Sequence, residues 1–243
     1  MYIPPALLQV EIDPGAFNPQ RIVENYLNFQ LVFQNMDVIF AAFLVTISLA
    51  LLAEVIGIVI GLVLALIRVS APKALQLLSQ AYVDVFRGSP LLVQITILYF
   101  TLPLIGIRFT SLFFAGLAAL SLNGAAYVAE IFRAGIQSID KGQMEAARAS
   151  GLSYVQAMRY VIIPQAFRRV IPPLTNEFVA LVKDTSLVSV IGLAELLRAA
   201  RVLQSATFNG TPLIAAALLY LAVCVPLIYL ANALDRRLNR RVA

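Results

Sequence analysis

Residues 38–67 read VIFAAFLVTISLALLAEVIGIVIGLVLALI. About 20 predominantly apolar residues suffice for a helix to cross a hydrocarbon core roughly 30 Å thick. This stretch is longer than that and carries one charge, Glu54, so it reads as a tilted membrane span that ends at Arg68. The remainder of the chain agrees. Of its 243 residues 60% are hydrophobic and only 13% are charged, with a mean hydropathy of +0.86, too apolar for an ordinary soluble domain of this length. The expected fold class is all-α, a polytopic membrane protein.

Four further segments qualify as spans or nearly so. The second begins near Ala74, is interrupted by FRGSP at 86–90 and continues through LLVQITILYFTLPLI. Ser89 as an N-cap with Pro90 at the first helical position would stop one helix and start another. The third covers about Leu112 to Ala134, the fourth about Val170 to Val182 and the fifth about Leu213 to Leu234. The fourth is short and polar, so it is expected among other helices and not against lipid.

Short cytoplasmic loops concentrate Lys and Arg. Arg68 and Lys73 separate spans one and two; Arg133, Lys141, Arg148, Arg159, Arg168 and Arg169 separate three and four; Arg236, Arg237, Arg240 and Arg241 follow five. The opposite side holds Glu11, Asp13, Glu24 and Asp37 against Arg21, together with Arg108, Arg198 and Arg201. Residues 1–36 are therefore expected as an outer or interfacial extension with the N-terminus outside. Residues 37–243 form the transmembrane domain, with five core helices and a cytoplasmic C-terminus. The first 35 residues lack a basic start and a continuous apolar core, so no cleavable signal peptide is expected.

Composition also removes chemistries. There is no histidine and one cysteine, Cys224, inside the apolar run LLYLAVCVPLIYL, so neither a His/Cys metal site nor a Cys/His nucleophile can be built. No catalytic residue and no metal ligand is assigned. The formal charge of +5 reports membrane orientation first, and no nucleic acid partner is expected. No GxxxxGK[ST] stretch is present to cradle phosphates, so any ATP chemistry must lie in another chain.

The longest hydrophilic excursion on the inner side, about 135–169, reads GIQSIDKGQMEAARASGLSYVQAMRYVIIPQAFRR. Gln143 to Ala149 are strong helix formers, Glu145 and Arg148 are spaced i to i+3, and Gly151 suits a left-handed helix end. Ser153 can cap a second short helix that Pro164 is expected to stop. Two short helices at a glycine corner make a rigid knob.

Glu145-Ala146-Ala147, three residues, Gly151, nine residues, then Val161-Ile162-Ile163-Pro164 resembles the EAA motif of integral membrane permeases in ATP-binding cassette importers. Val161 and Ile163 replace the usual Ile and Leu, both volume-conserving. FRGSPLLVQ, AAYVAEIFRAGI and IPPLTNEFVALVKDTSLVSVIGL resemble the subfamily that imports polar amino acids, and the likeness covers about residues 38–238. It implies a type I importer permease fold in the bacterial cytoplasmic (inner) membrane. The loop would be the coupling helix, seated in a groove of the cytoplasmic ATPase, with Glu145, Ala146, Ala147, Arg148, Gly151 and Pro164 as its working residues. Small alanines permit close approach, and Glu145 and Arg148 offer charge-assisted contacts. The implied partners are a dimer of ATP-binding cassette ATPases, a second permease copy or a homologous permease, an extracytoplasmic amino-acid-binding protein, the amino acid and membrane lipid. ATP and magnesium would be held by the ATPase, and this chain would carry no cofactor.

An ionisable group at mid-bilayer costs roughly 2.5–3.5 kcal/mol on insertion scales, so each needs a partner, a cavity or a function. Glu177 and Asp184 are seven residues apart, two helical turns, which puts both carboxylates on one face where a cationic ammonium group could bind. The resemblance adds that this segment lines the translocation path. Thr185 and Ser186 could add neutral hydrogen bonds. Asp184 as a cap of the following helix, or Lys183 as a neutralising neighbour, is the alternative. Asn123, Tyr127 and Glu130 share a face of the third span; the first two reach the pathway or pack helices, and Glu130 suits an intrahelical pair with Arg133. Asp84 and Arg87 invite a similar pairing. Glu54 departs from the family pattern. It would either favour cationic substrates or pair across a subunit interface.

The leading expectation is the membrane-spanning subunit of an ATP-driven importer of polar amino acids, forming half of a pathway, with a mild lean to cationic ones. An autonomous ion-coupled secondary carrier is the alternative, but it predicts an internal repeat that five spans do not display. An intramembrane enzyme lacks a nucleophile and base pair.

Overall fold

A computed structural model describes residues 18–239, and helices account for nearly all of them, with no strand among the described residues. The elements are α1 (Pro19–Tyr26), α2 (Phe29–Gln34), α3 (Met36–Ser70), α4 (Lys73–Gly88), α5 (Leu91–Thr96), α6 (Leu112–Gln137), α7 (Lys141–Ala149), α8 (Tyr154–Ala157), α9 (Ile163–Asp184), α10 (Leu196–Thr207) and α11 (Thr211–Asn239). The expected positions of Glu11, Asp13, Arg240 and Arg241 lie outside the described residues.

Among the described residues three helices, α3, α6 and α11, are long and apolar enough to cross a membrane, and α4 with the chain from Leu91 to Ile105 makes a fourth if that pair, bent by 103°, is one span. In a 35-residue helix such as α3, burial selects a stripe: Ile39, Ala42, Thr46, Leu49, Ala53, Gly57, Gly61 and Ala65 face inward, while Phe40, Leu44, Val55, Val59 and Val63 are exposed. That three-to-four spacing is the helical repeat. The stripe is small because α3 lies close against α6. A Cβ built on Gly61 would sit 2.6 Å from Val128 Cγ1 and 2.8 Å from the carbonyl oxygen of Ala125, whereas one on Gly124 would meet nothing within 4 Å. Overpacking of this kind costs about 1–3 kcal/mol. Gly61→Val is therefore expected to lower the thermal unfolding temperature in detergent, and Gly124→Ala to leave it near wild type.

α6 is the central helix, far more deeply buried within the bundle than α11. Around it Ala65, Val128, Phe132 and Val170 join α3, α6 and α9. α9 is amphipathic, with Pro172 and Pro173 inside it and Ala166, Val170, Val179, Leu181 and Val182 buried. It begins seven residues before the expected fourth span.

The two ends of the bundle are built separately. Leu66 and Val69 of α3 pack with Ile136, Met144, Met158 and Ile162, so the loop between α6 and α9 sits at the C-terminal end of α3. At the other end Val32, Ile39, Leu196, Ala200 and Ala215 cluster. There α1 is tied down by backbone: Gly210 N–H donates to Asn25 O (2.6 Å) and Asn209 Nδ2 to Glu24 O (2.7 Å).

Candidate functional site

A helix break needs partners for the backbone groups it frees. Between α4 and α5 they come from two amides. Gln94 Nε2 donates to Phe86 O (2.8 Å), Ser89 O (3.0 Å) and Ser89 Oγ (3.0 Å), and Asn123 Nδ2 donates to Phe86 O (3.3 Å) and Gln94 Oε1 (3.0 Å). The register differs by one residue from the expected cap. Pro90 is the N-cap of α5, and Ser89 Oγ donates back to Val85 O at 2.7 Å, a local bond that competes with capping forward.

This clamped bend opens a cavity of about 450 Å³ lined by residues 87–91, Asn123, Tyr127, Glu177, Ala180 and Asp184. Four of the seven residues expected to contact substrate, Asn123, Tyr127, Glu177 and Asp184, thus meet in one place. Glu177 and Asp184 share the inward face of α9, as their two-turn spacing requires. Asn123 forms part of the wall while its amide holds the bend. The cavity lining carries both signs of charge. Arg87 stands over the Tyr127 ring at 5.3 Å from its centroid and within electrostatic reach of Glu177, and it shares the lining with both carboxylates.

Three other expected residues lie outside the lining. Glu54 is buried, its Oε2 has no hydrogen-bond partner, and it is near enough to Glu177 for the two carboxylates to repel. Thr185 is fully buried and its hydroxyl donates to Val182 O at 2.7 Å. Ser186 is half-buried.

On the α7 side of the cavity a charge cluster joins α3, α4 and α6. Glu130 takes Arg68 Nη1 at 2.7 Å, Arg133 through two bonds, one of them Nε at 3.0 Å, and Arg87 Nη1 at a loose 4.0 Å. The expected Glu130–Arg133 pair is present. The Asp84–Arg87 pair is not: Asp84 accepts from Gln80 Nε2 at 2.6 Å and Arg87 turns to Tyr127 and Glu130. The Arg68 side chain is only 10% exposed, so Glu130→Gln would leave a nearly buried cation with no carboxylate. Partial exposure discounts the cost to roughly 2–3 kcal/mol, below that of a fully buried pair. A lower unfolding temperature with the permease still inserted is expected, measured by fluorescence-detected thermal denaturation.

Sequence reasoning passed over Gln94, hidden in an apolar run, and Glu195. The latter is fully buried and accepts from Leu197 N (2.9 Å), Arg198 N (2.7 Å) and Tyr220 OH (3.0 Å), starting α10. An acid placed directly before the amphipathic helical stretch LLRAARVL was the available signal.

The second candidate element is the α7–α8 knob. Asp140 caps α7. Gly151, at φ +87°, ends it with Gly151 N–H on Arg148 O (3.0 Å) and Leu152 N–H on Ala147 O (3.2 Å), the paired bonds of a left-handed glycine terminus. Ser153 and Gln156 form a reciprocal capping box on α8. Pro164 does not stop the helix as expected. A widened π-helical stretch, Met158–Ile162, precedes α9 and Pro164 falls in its first turn, where no N–H is required. The chain is therefore helical from α8 to Asp184. Ala147 is buried; Glu145, Ala146 and Arg148 are exposed, and Arg148 donates to Leu152 O at 3.1 Å instead of pairing with Glu145.

The family model for the inner membrane component of binding-protein-dependent transport systems matches residues 57–240. The chain belongs to that family. It is a multi-pass membrane permease of an ATP-binding cassette system and not itself an enzyme. The permease is 39% identical to the arginine transport system permease protein ArtQ of Bacillus subtilis, over 88% of this chain and 98% of that one. It is 40% identical to the putative glutamine transport system permease protein GlnP of Rickettsia bellii, over 80% and 90%. Among solved structures, an amino acid ABC transporter crystallised with histidines superimposes with a TM-score of 0.81 at 41% identity, covering 86% of this chain and 98% of that one. The MetNI methionine transporter, at 22% identity and a TM-score of 0.68 over 85% and 97%, shares the fold.

Proposed function

We propose that this permease forms half of the membrane pathway of an ATP-driven importer of polar amino acids, with a lean to cationic ones. The observation that carries it is the cavity lined by both signs of charge. An amino acid presents a carboxylate and an ammonium group at once, and the lining offers Arg87 to the first and Glu177 and Asp184 to the second. At about 450 Å³ the cavity is within the usual range for small-molecule sites, roughly 300–1,000 Å³. A cationic side chain would be drawn further by Glu54, whose field reaches Glu177. Relatives named for arginine and glutamine transport support the substrate class.

The same reading takes α3, α4 with α5, α6, α9 and α11 as the five core helices, α9 being shielded by protein. The N-terminus is outside and the C-terminus in the cytoplasm of the bacterial inner membrane. The α7–α8 knob then faces the cytoplasmic ATPase dimer, and the α10 end faces an amino-acid-binding protein. Coupling runs through continuous helix: α8 leads through the π-helical stretch into α9, which carries Glu177 and Asp184. Gln165 Nε2 to Gln143 Oε1 (3.2 Å) and Arg169 Nη1 to Ser138 O (2.6 Å) tie that helix to the knob's base. Movement of the knob therefore displaces the acids. A second permease, a copy or a relative, completes the pathway. The test is the ATPase rate of the assembled transporter: stimulation by the binding protein loaded with one polar amino acid is expected, and a rate indifferent to every amino acid would refute the assignment.

A further inference from the structure

Gln94 is 8% exposed and does not line the cavity, yet the cationic part of the lining hangs from it. Its Nε2 donates to the carbonyl oxygens of Phe86 and Ser89, the residues that flank Arg87 and Gly88 in the chain. One side-chain amide therefore fixes both ends of the short segment that presents Arg87. A third acceptor, Ser89 Oγ, completes the surroundings of Nε2, and Oε1 accepts from Asn123 Nδ2. With two hydrogens facing three acceptors, the amide has no donor left for a ligand. The stretch FRGSPLLVQ, residues 86–94, thus holds both the presented segment and the amide that holds it.

Glycine sterics do not hold this bend. A Cβ on Gly88 would meet nothing within 4 Å, and Gly88 is not among the described glycines with positive φ, so its backbone is one that other residues adopt. Nor does Arg87 hold itself. Its ion pair with Glu130 is a loose 4.0 Å, and its other contact is the face of Tyr127. A side chain tethered so weakly goes where its backbone puts it, and that backbone is set by Gln94. Gln94 is in turn rooted in the core, because the adjacent Ile95, 1% exposed, packs with Leu49, Leu120 and Leu181. A guanidinium binds a carboxylate through a directional, two-pronged contact, so a shift of its backbone weakens that contact. We infer that Gln94 is a positioning residue for import, which touches no substrate and holds Arg87 where the substrate carboxylate is met. The inference rests on the importer reading above, in which Arg87 takes that carboxylate.

The test is ATP-driven uptake of radiolabelled polar amino acids, arginine and glutamine first, by the complete transporter in proteoliposomes with its binding protein. Gln94→Met keeps an unbranched side chain of similar size and removes the donors; Arg87→Gln removes the charge. Each alone is expected to lower uptake about tenfold or more, while ATP hydrolysis is still stimulated by the loaded binding protein. The double variant should fall no further than Arg87→Gln, because Gln94 acts through the guanidinium; two independent losses would instead multiply to about a hundredfold. That comparison separates positioning from a general structural role. Gln94→Asn keeps a buried amide and guards against a folding defect. One methylene shorter, it should lower uptake in the same direction, and it replaces Gln94→Met in the double variant if the latter does not insert. Losses that multiply overturn the inference and leave the import of amino acids standing. So does wild-type uptake in Arg87→Gln or in the Gln94 variant used. A wild-type transporter that takes up no polar amino acid overturns the importer reading, and the positioning role with it.

Discussion

Glu177→Gln and Asp184→Asn are each expected to reduce amino acid uptake by about 10- to 150-fold, the equivalent of losing a charged hydrogen bond of roughly 1.5–3 kcal/mol. Both substitutions keep volume and shape, and both positions line the cavity together with Arg87. Copurification with the ATPase should be unaffected, because the α7–α8 knob is untouched. Uptake measured in proteoliposomes, alongside thermal denaturation, separates these effects. Uptake at the wild-type rate in both variants would remove the acids from the path.

Ala146→Arg is expected to abolish assembly with the ATPase. Ala146 is exposed on α7, one position before the buried Ala147 that seats the helix on its base. A guanidinium added there cannot disturb the permease interior, but it fills the close approach that a small side chain permits at a packed interface. The variant should insert, fold and keep its unfolding temperature, yet fail to copurify with the ATPase and show no ATP-driven uptake. Full copurification with normal uptake would place the docking surface elsewhere.

Much of this was legible in the chain because hydropathy and turn chemistry act locally. The long apolar run at 38–67 became α3, only slightly extended at each end, and the FRGSP break became a 103° bend. The glycine terminus and capping box of the knob follow from residues within a few positions of one another. What the reading missed was decided partly by competing local bonds and partly by partners on other helices. Ser89 lost its capping role because Gln94 and Val85 claimed it. Arg87 abandoned Asp84 for Tyr127 and Glu130, both on another helix. Pro164 did not stop the helix because a π-helical stretch absorbed it. The start of α9 escaped hydropathy because Arg168 and Arg169 break its apolar character near the knob, although the helix itself continues through them. Gln94 and Glu195 carry polar networks inside apolar sequence, and only the fold reveals whom they bind.

The most direct measurement is uptake of radiolabelled arginine or glutamine into proteoliposomes holding this permease, with its second half, with and without the ATPase and binding protein. Uptake that requires both added proteins and ATP, and that an imposed proton or sodium gradient cannot replace, is predicted. Uptake driven by an ion gradient with no ATPase present would contradict it.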